Sequence, residues 1–135
     1  MEKRDELEQL LGYSTDTVTG EVTLERMPGL VFKIKPITGA VMDQIRERAQ
    51  YSVKTKTGHE TKTDTSKVSA GVILAGVTSP DLSDSRFAKK YGEVDPLRAI
   101  PKHFLFGEID KLSTAILDLS GLGDDDAAPL EKAKN

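Results

Sequence analysis

Apolar residues recur along this chain with two different periods, and the change of period separates strands from helices. Over residues 21–37 they alternate. Val22 and Leu24 stand between Glu21, Thr23 and Glu25, and Phe32 and Ile34 between Val31, Lys33 and Lys35. A period of two marks a half-buried strand. Met27-Pro28-Gly29 supplies a turn, so the segment predicts a β-hairpin that Pro36 ends. Elsewhere the spacing is three and four. Leu7, Leu10 and Leu11 mark a short helix over 3–11, with Gly12 at its end. Thr38 caps a helix reaching residue 51, with Val41, Met42, Ile45 and Ala49 on one face. Asp64 or Thr65 opens a helix through Val77 that is apolar on most sides, which predicts the central helix of the fold. Ser79-Pro80-Asp81 breaks it. Ser83 caps a short helix to Tyr91, and Asp95-Pro96 starts a brief one near 97–100. The last helix is predicted over 101–120. There Leu105, Ile109, Leu112, Ile116 and Leu119 follow one another at spacings of four, three, four and three, and Gly121 closes the helix.

Two stretches offer little to bury. Residues 52–63 are a run of Thr and Lys around Gly58-His59, readable as an exposed hairpin or as a mobile loop. Residues 122–135, with Asp124, Asp125, Asp126 and Pro129, predict a disordered acidic tail. The order of elements gives an α+β fold in a single domain over 1–121. An N-terminal β-hairpin is laid on a cluster of about four to five helices.

Composition narrows the function more than the fold. A chain of 135 residues, 37% hydrophobic, can build one modest core, and with four Phe, three Tyr and no Trp that core is aliphatic. Nineteen Lys and Arg against 22 Asp and Glu give a net charge of −3, the wrong sign for a binder of nucleic acid. No apolar run is long enough to span a membrane, and the charged start, Met1 to Glu6, lacks the apolar stretch of a signal peptide. Without cysteine there is neither a disulfide framework nor a thiolate ligand.

Candidate chemistry is sparse. His59 and His103 are isolated, whereas a zinc site needs three or four ligands. Glu108 and Asp110 splay about 200° apart on a helix. The Asp124–Asp126 run lacks the spacing of a calcium loop. Leu119-Ser120-Gly121-Leu122-Gly123 follows a helix, not the strand that a phosphate loop or nucleophile elbow requires. The residues therefore predict no catalytic, cofactor-binding or metal-binding site, and a protein that is not an enzyme.

Four segments, in order, carry a resemblance. These are Phe32-Lys33-Ile34-Lys35-Pro36-Ile37-Thr38-Gly39; Ile45-Arg46-Glu47-Arg48-Ala49; Pro80-Asp81-Leu82-Ser83-Asp84 followed by Tyr91-Gly92; and Phe106-Gly107-Glu108-Ile109 ending at Leu119-Ser120-Gly121. Together they resemble the XkdN-like family of phage tail assembly chaperones. The resemblance implies a protein of the host cell cytoplasm, encoded by a phage or prophage. Its partner would be the tape measure protein, a long helical polypeptide kept soluble while tail tube subunits assemble around it. The tail tube protein would be a second partner, and the chaperone would be absent from the mature virion. Two other readings stay open. One is a small tail completion or connector protein that persists in the particle. The other is a nucleic-acid-binding regulator using Arg46, Arg48, Lys54, Lys56 and Lys62.

A holdase needs an apolar docking face, and the final helix offers one. Its seam serves the domain's own core, yet Phe104, Ala115 and Leu122 widen the apolar surface beyond one stripe. The expected partner-binding margin, for the tape measure protein or for self-association, thus draws on Phe104, Ile109, Leu112, Ala115, Ile116 and Leu119. The resemblance also implies a longer product made by ribosomal frameshifting near the end of the gene. Ala133-Lys134-Asn135 can be encoded by a slippery run of adenines. The nucleotide sequence checks this: the run and an overlapping frame are expected, and their absence removes the idea.

Overall fold

The computed structural model describes residues 5–122, the side chain of Asp16 excepted. β1 (Gly20–Thr23) and β2 (Val31–Ile34) form the alternating hairpin, antiparallel, with Val22 opposite Phe32 and Gly20 opposite Ile34. Val22, Phe32 and Ile34 face the core, while Glu21 and Lys33 face outward, as the period of two requires. A third strand, β5 (Val77–Ser79), lies along the free edge of β2. It was not foreseen, because three residues are too few to show a period. The helix before it stops at Gly76, one residue short of the predicted end. Lys35 N–H then donates to the Gly76 carbonyl at 2.8 Å, and the Thr78 hydroxyl donates to the Lys33 carbonyl at 3.1 Å.

The helices keep most of their predicted caps. In α2 (Gly39–Arg48) the Thr38 hydroxyl accepts from Val41 N–H. In α3 (Thr65–Gly76) Asp64 accepts from Ser66 and Lys67 N–H. Between these two helices, β3 (Gln50–Thr55) and β4 (Gly58–Thr63) pair as a two-stranded ribbon. Asp64 N–H donates to the Ala49 carbonyl at the ribbon's base, at 2.8 Å.

Several boundaries are corrected, the first being α2, which ends at Arg48 and not at residue 51 because β3 begins at Gln50. The short helix α4 (Ser85–Lys90) is capped by Asp84 and not by Ser83, whose hydroxyl donates to Asp81. α5 (Pro96–His103), capped by Asp95, is longer than the brief helix expected and contains Pro101. Proline lacks the N–H that continues a helix, so in sequence it reads as a start when here it lies within one. His103 therefore closes α5 instead of opening the final helix. That helix, α6, spans Phe106–Leu117 and runs into a wide turn, Asp118–Leu122, where Gly121 takes φ 94°. The predicted disordered tail lies outside the described residues apart from Leu122.

With these five helices, a short first helix α1 (Glu6–Leu11) and its antiparallel strands the fold is α+β, the hairpin lying on a helical cluster. α3 is its centre. It buries Ala70, Gly71, Val72, Ile73 and Gly76, against Ile100 of α5, Leu112 and Ile116 of α6, and Phe32 of β2. Each such large side chain contributes about 1.5–3 kcal/mol by leaving water. Two glycines set how near the neighbouring helices come. A Cβ at Gly71 would sit 2.7 Å from Ile45 Cγ2 in α2, and one at Gly76 would sit 2.6 Å from Ile116 Cδ1 in α6.

Phe87, Tyr91, His103 and Phe104 form an aromatic cluster beside the sheet, with Phe104 edge-on to Phe32 at 5.9 Å between ring centres. The Tyr91 hydroxyl is hydrogen-bonded to His103 Nδ1. Burial, reinforced by Arg26 and Lys90, pushes His103 below its ordinary value of 6.5.

Two outcomes follow. Gly76→Ala is expected to destabilise the protein by about 1–3 kcal/mol through overpacking, whereas Gly39→Ala, with no atom within 4 Å of the added methyl, should not. Urea titration of both variants checks this. For His103, the unfolded chain takes up the proton before the folded one, so stability is lost as pH falls below about 6.5. The urea midpoint should drop between about pH 7.5 and 5.5, above the carboxylate range, and His103→Gln should flatten that drop.

Candidate docking surface

The chain leaves α5 in an extended conformation at Phe104 (φ −94°, ψ 144°) and enters α6 through an extended Leu105 (φ −70°, ψ 156°). This break turns consecutive side chains opposite ways. Phe104 drops into the core at 5% exposure, while Leu105 is 58% and Phe106 88% exposed. The break is held by one ion pair. Arg26, in the loop of the β1–β2 hairpin, donates Nε to Glu108 Oε2 at 3.0 Å, and Nη2 to Glu108 Oε1 at 2.7 Å and to the His103 carbonyl at 2.9 Å. Glu108 in turn accepts from Leu105 N–H at 2.8 Å, capping α6. The Arg26 hydrogen bonds, followed by that backbone bond, hold the Glu108 carboxyl below the usual carboxylate range. Lys111 adds a second tie, donating to the Thr23 carbonyl at 2.8 Å. The first two turns of α6 are thereby fixed to the sheet.

Behind Phe106 lies a cleft of about 350 Å³ between the N-terminal half of α3 and the start of α6. Pro101, Phe104, Ile109 and Ala70 give it an apolar lining, with Thr65, Ser66, Ser69 and Asp110 around them. Of the six residues expected at a docking margin, Phe104 and Ile109 meet in this cleft and the other four lie elsewhere. Leu112 and Ile116 are fully buried and, with Phe104, belong to the core. Ile109 is half-buried and lines the cleft. Ala115, half-buried, lies nine residues beyond Phe106 and so about 180° around the helix. Leu119 packs over β1, with Cδ2 3.5 Å from where a Gly20 Cβ would be.

Phe106 was missed as a surface residue. Its signal was its place one position after Leu105, which puts it about 100° off the apolar seam. An aromatic there, in a chain with four Phe, has no core to enter.

Chemical groups are dispersed. Glu108 is engaged by Arg26 while Asp110 borders the cleft. His59 is exposed on the β3–β4 ribbon, opposite Lys54. Among the described residues no three His, Cys, Asp or Glu side chains are grouped to hold a metal ion, and no helix is long and apolar enough to cross a membrane.

The crystal structure of the protein YqbN has a similar fold, with a TM-score of 0.54 at 15% identity, covering 76% of this chain and 86% of that one. No curated protein matches the chain. The family model of the phage XkdN-like tail assembly chaperone protein matches residues 7–134, nearly the whole sequence. The chain is a member of the XkdN-like phage tail assembly chaperone family.

Proposed function

We propose that this tail assembly chaperone binds the tape measure protein through the α3–α6 cleft and keeps it soluble in the host cytoplasm while the tail tube forms, leaving before the virion is complete. The observation that carries this reading is Phe106, 88% exposed at the mouth of an apolar cleft. An exposed aromatic costs solubility without adding to the core. Aromatic side chains beside a preformed pocket supply much of the binding energy at protein interfaces. A helical partner would lay one apolar face against Phe106, Pro101 and Ile109, with residues three and four apart entering in turn. The Arg26–Glu108 pair keeps this surface in place before the partner arrives, which lowers the entropic cost of binding. The job requires no bond chemistry. The tail tube protein is the second partner in this reading.

Co-expression with the tape measure protein of the same phage tests it. Phe106→Asp should leave the melting temperature unchanged, because the side chain is exposed, and should reduce capture at least tenfold, as loss of an interface anchor does. Lys89→Asp, exposed on α4, is the control and should capture normally. Capture by Phe106→Asp equal to the control would overturn the assignment of the cleft. Loss of capture in a folded Ala115→Asp variant alone would move the binding face to the opposite flank of α6.

A further inference from the structure

Where the chain leaves α6 it is tied to the start of α2. The Ser120 hydroxyl donates to the Ile116 carbonyl at 2.7 Å and accepts from Ile37 N–H at 2.9 Å. Leu122, two residues on, is exposed. Ile37 lines a hollow of about 340 Å³, together with Lys35, Val41 and Ala75. Val41 and Ala75 also line a groove of about 390 Å³ between α2, α3 and α5, whose apolar lining includes Ile45, Leu74 and Leu97. The hollow and the groove thus adjoin, and they form one trough leading from Ser120 along α2.

Charge along this trough is mostly of one sign. Lys35 stands at the hollow, and Arg48 and Lys67 at the groove. Among the described residues none of the three is in an ion pair. Asp95, the acid in the lining of the groove, has its carboxylate bonded to Leu97 N–H. A segment that fits such a trough is extended, anionic and carries a large apolar side chain. The chain itself supplies one after Leu122. Gly123-Asp124-Asp125-Asp126-Ala127-Ala128-Pro129-Leu130-Glu131 has four acids and one large aliphatic residue, Leu130. Pro129 favours extended backbone at Ala128. From Ser120 to Leu130 an extended chain reaches about 33 Å. From Thr38 to Arg48 α2 rises about 15 Å, so the length is sufficient.

We propose that residues 123–131 fold back along α2 of their own chain and lie in this trough. Asp124, Asp125 and Asp126 pass Lys35, Leu130 enters between Leu74 and Leu97, and Glu131 meets Arg48 and Lys67. Tethered at Leu122, the segment meets the trough at high effective concentration, so modest contacts suffice to hold it. An apolar segment of another protein enters the groove only by displacing it. No residue lines both this trough and the Phe106 cleft, so the proposal does not depend on the function proposed above.

A nitroxide on Ala128→Cys, in a full chain with no other cysteine, tests this through the amide signals of the isotope-labelled protein. The signals of Gln44, Leu74 and Leu97 should broaden, while those of Glu25 and Gly107 stay sharp. Arg48→Glu with Lys67→Glu, both at exposed positions, should lower the docked population about tenfold at an unchanged melting temperature, and Leu130→Asp should do the same. Groove signals as sharp as that of Glu25 overturn the proposal, as does broadening that survives both variants. In a mixture of spin-labelled chain without the isotope and isotope-labelled chain without the nitroxide, the groove signals should remain sharp. Broadening in that mixture equal to that in the doubly labelled chain would seat the segment on a second copy and overturn the proposal.

Discussion

At Gly76 the backbone of α3 comes so near α6 that a methyl group there would lie 2.6 Å from Ile116, and at Gly71 the same helix comes as near to Ile45 of α2. Helices pack at a distance set by the side chains between them. Removing the side chain at these two points lets isoleucines from both neighbours rest on α3 backbone. After Gly76 the helix gives way at once to β5, whose place beside β2 is therefore tied to the depth at which α3 lies. Sheet, central helix and final helix share this close approach, and Phe32, Ile73, Leu112 and Ile116 are fully buried as a result.

The candidate docking surface is a consequence of how α6 begins. Had α5 continued into α6, Phe104, Leu105 and Phe106 would have been spread around one helix, each partly covered. The two extended residues between the helices separate them instead, one inward and two outward. Arg26 maintains the break from the far end of the sequence, and it uses both oxygens of Glu108, a geometry that a guanidinium fits and an ammonium does not.

Much of the fold was legible because its causes are local. Alternation gave the hairpin, and Thr38, Asp64 and Asp95 cap the helices their positions predict. What could not be read depends on contacts between distant residues. β5 exists because β2 offers an edge, and Pro101 lies inside α5 because Phe104 and Arg26, not the proline, determine where the chain turns. The same division applies to the site. The spacing of Leu105, Ile109, Leu112, Ile116 and Leu119 marks an apolar seam, but which of them water still reaches is decided by α3 and β1. Leu105, the first of the seam, is exposed because the helix starts one residue later, and the neighbour that the period left out, Phe106, is the most accessible of the group.

The β3–β4 ribbon joins the end of α2 to the start of α3, and the bond from Asp64 N–H to the Ala49 carbonyl closes its base. Beyond that point most of its side chains are in water, so the helical cluster does not measure its length. Residues could be added to or removed from both strands together without moving α2 or α3. Changes in twos would keep each side chain on its present face, whereas a single insertion in one strand would turn the rest over. The ribbon is thus where members of this fold can differ in length at least cost, an appendage whose reach varies while the body that carries it does not.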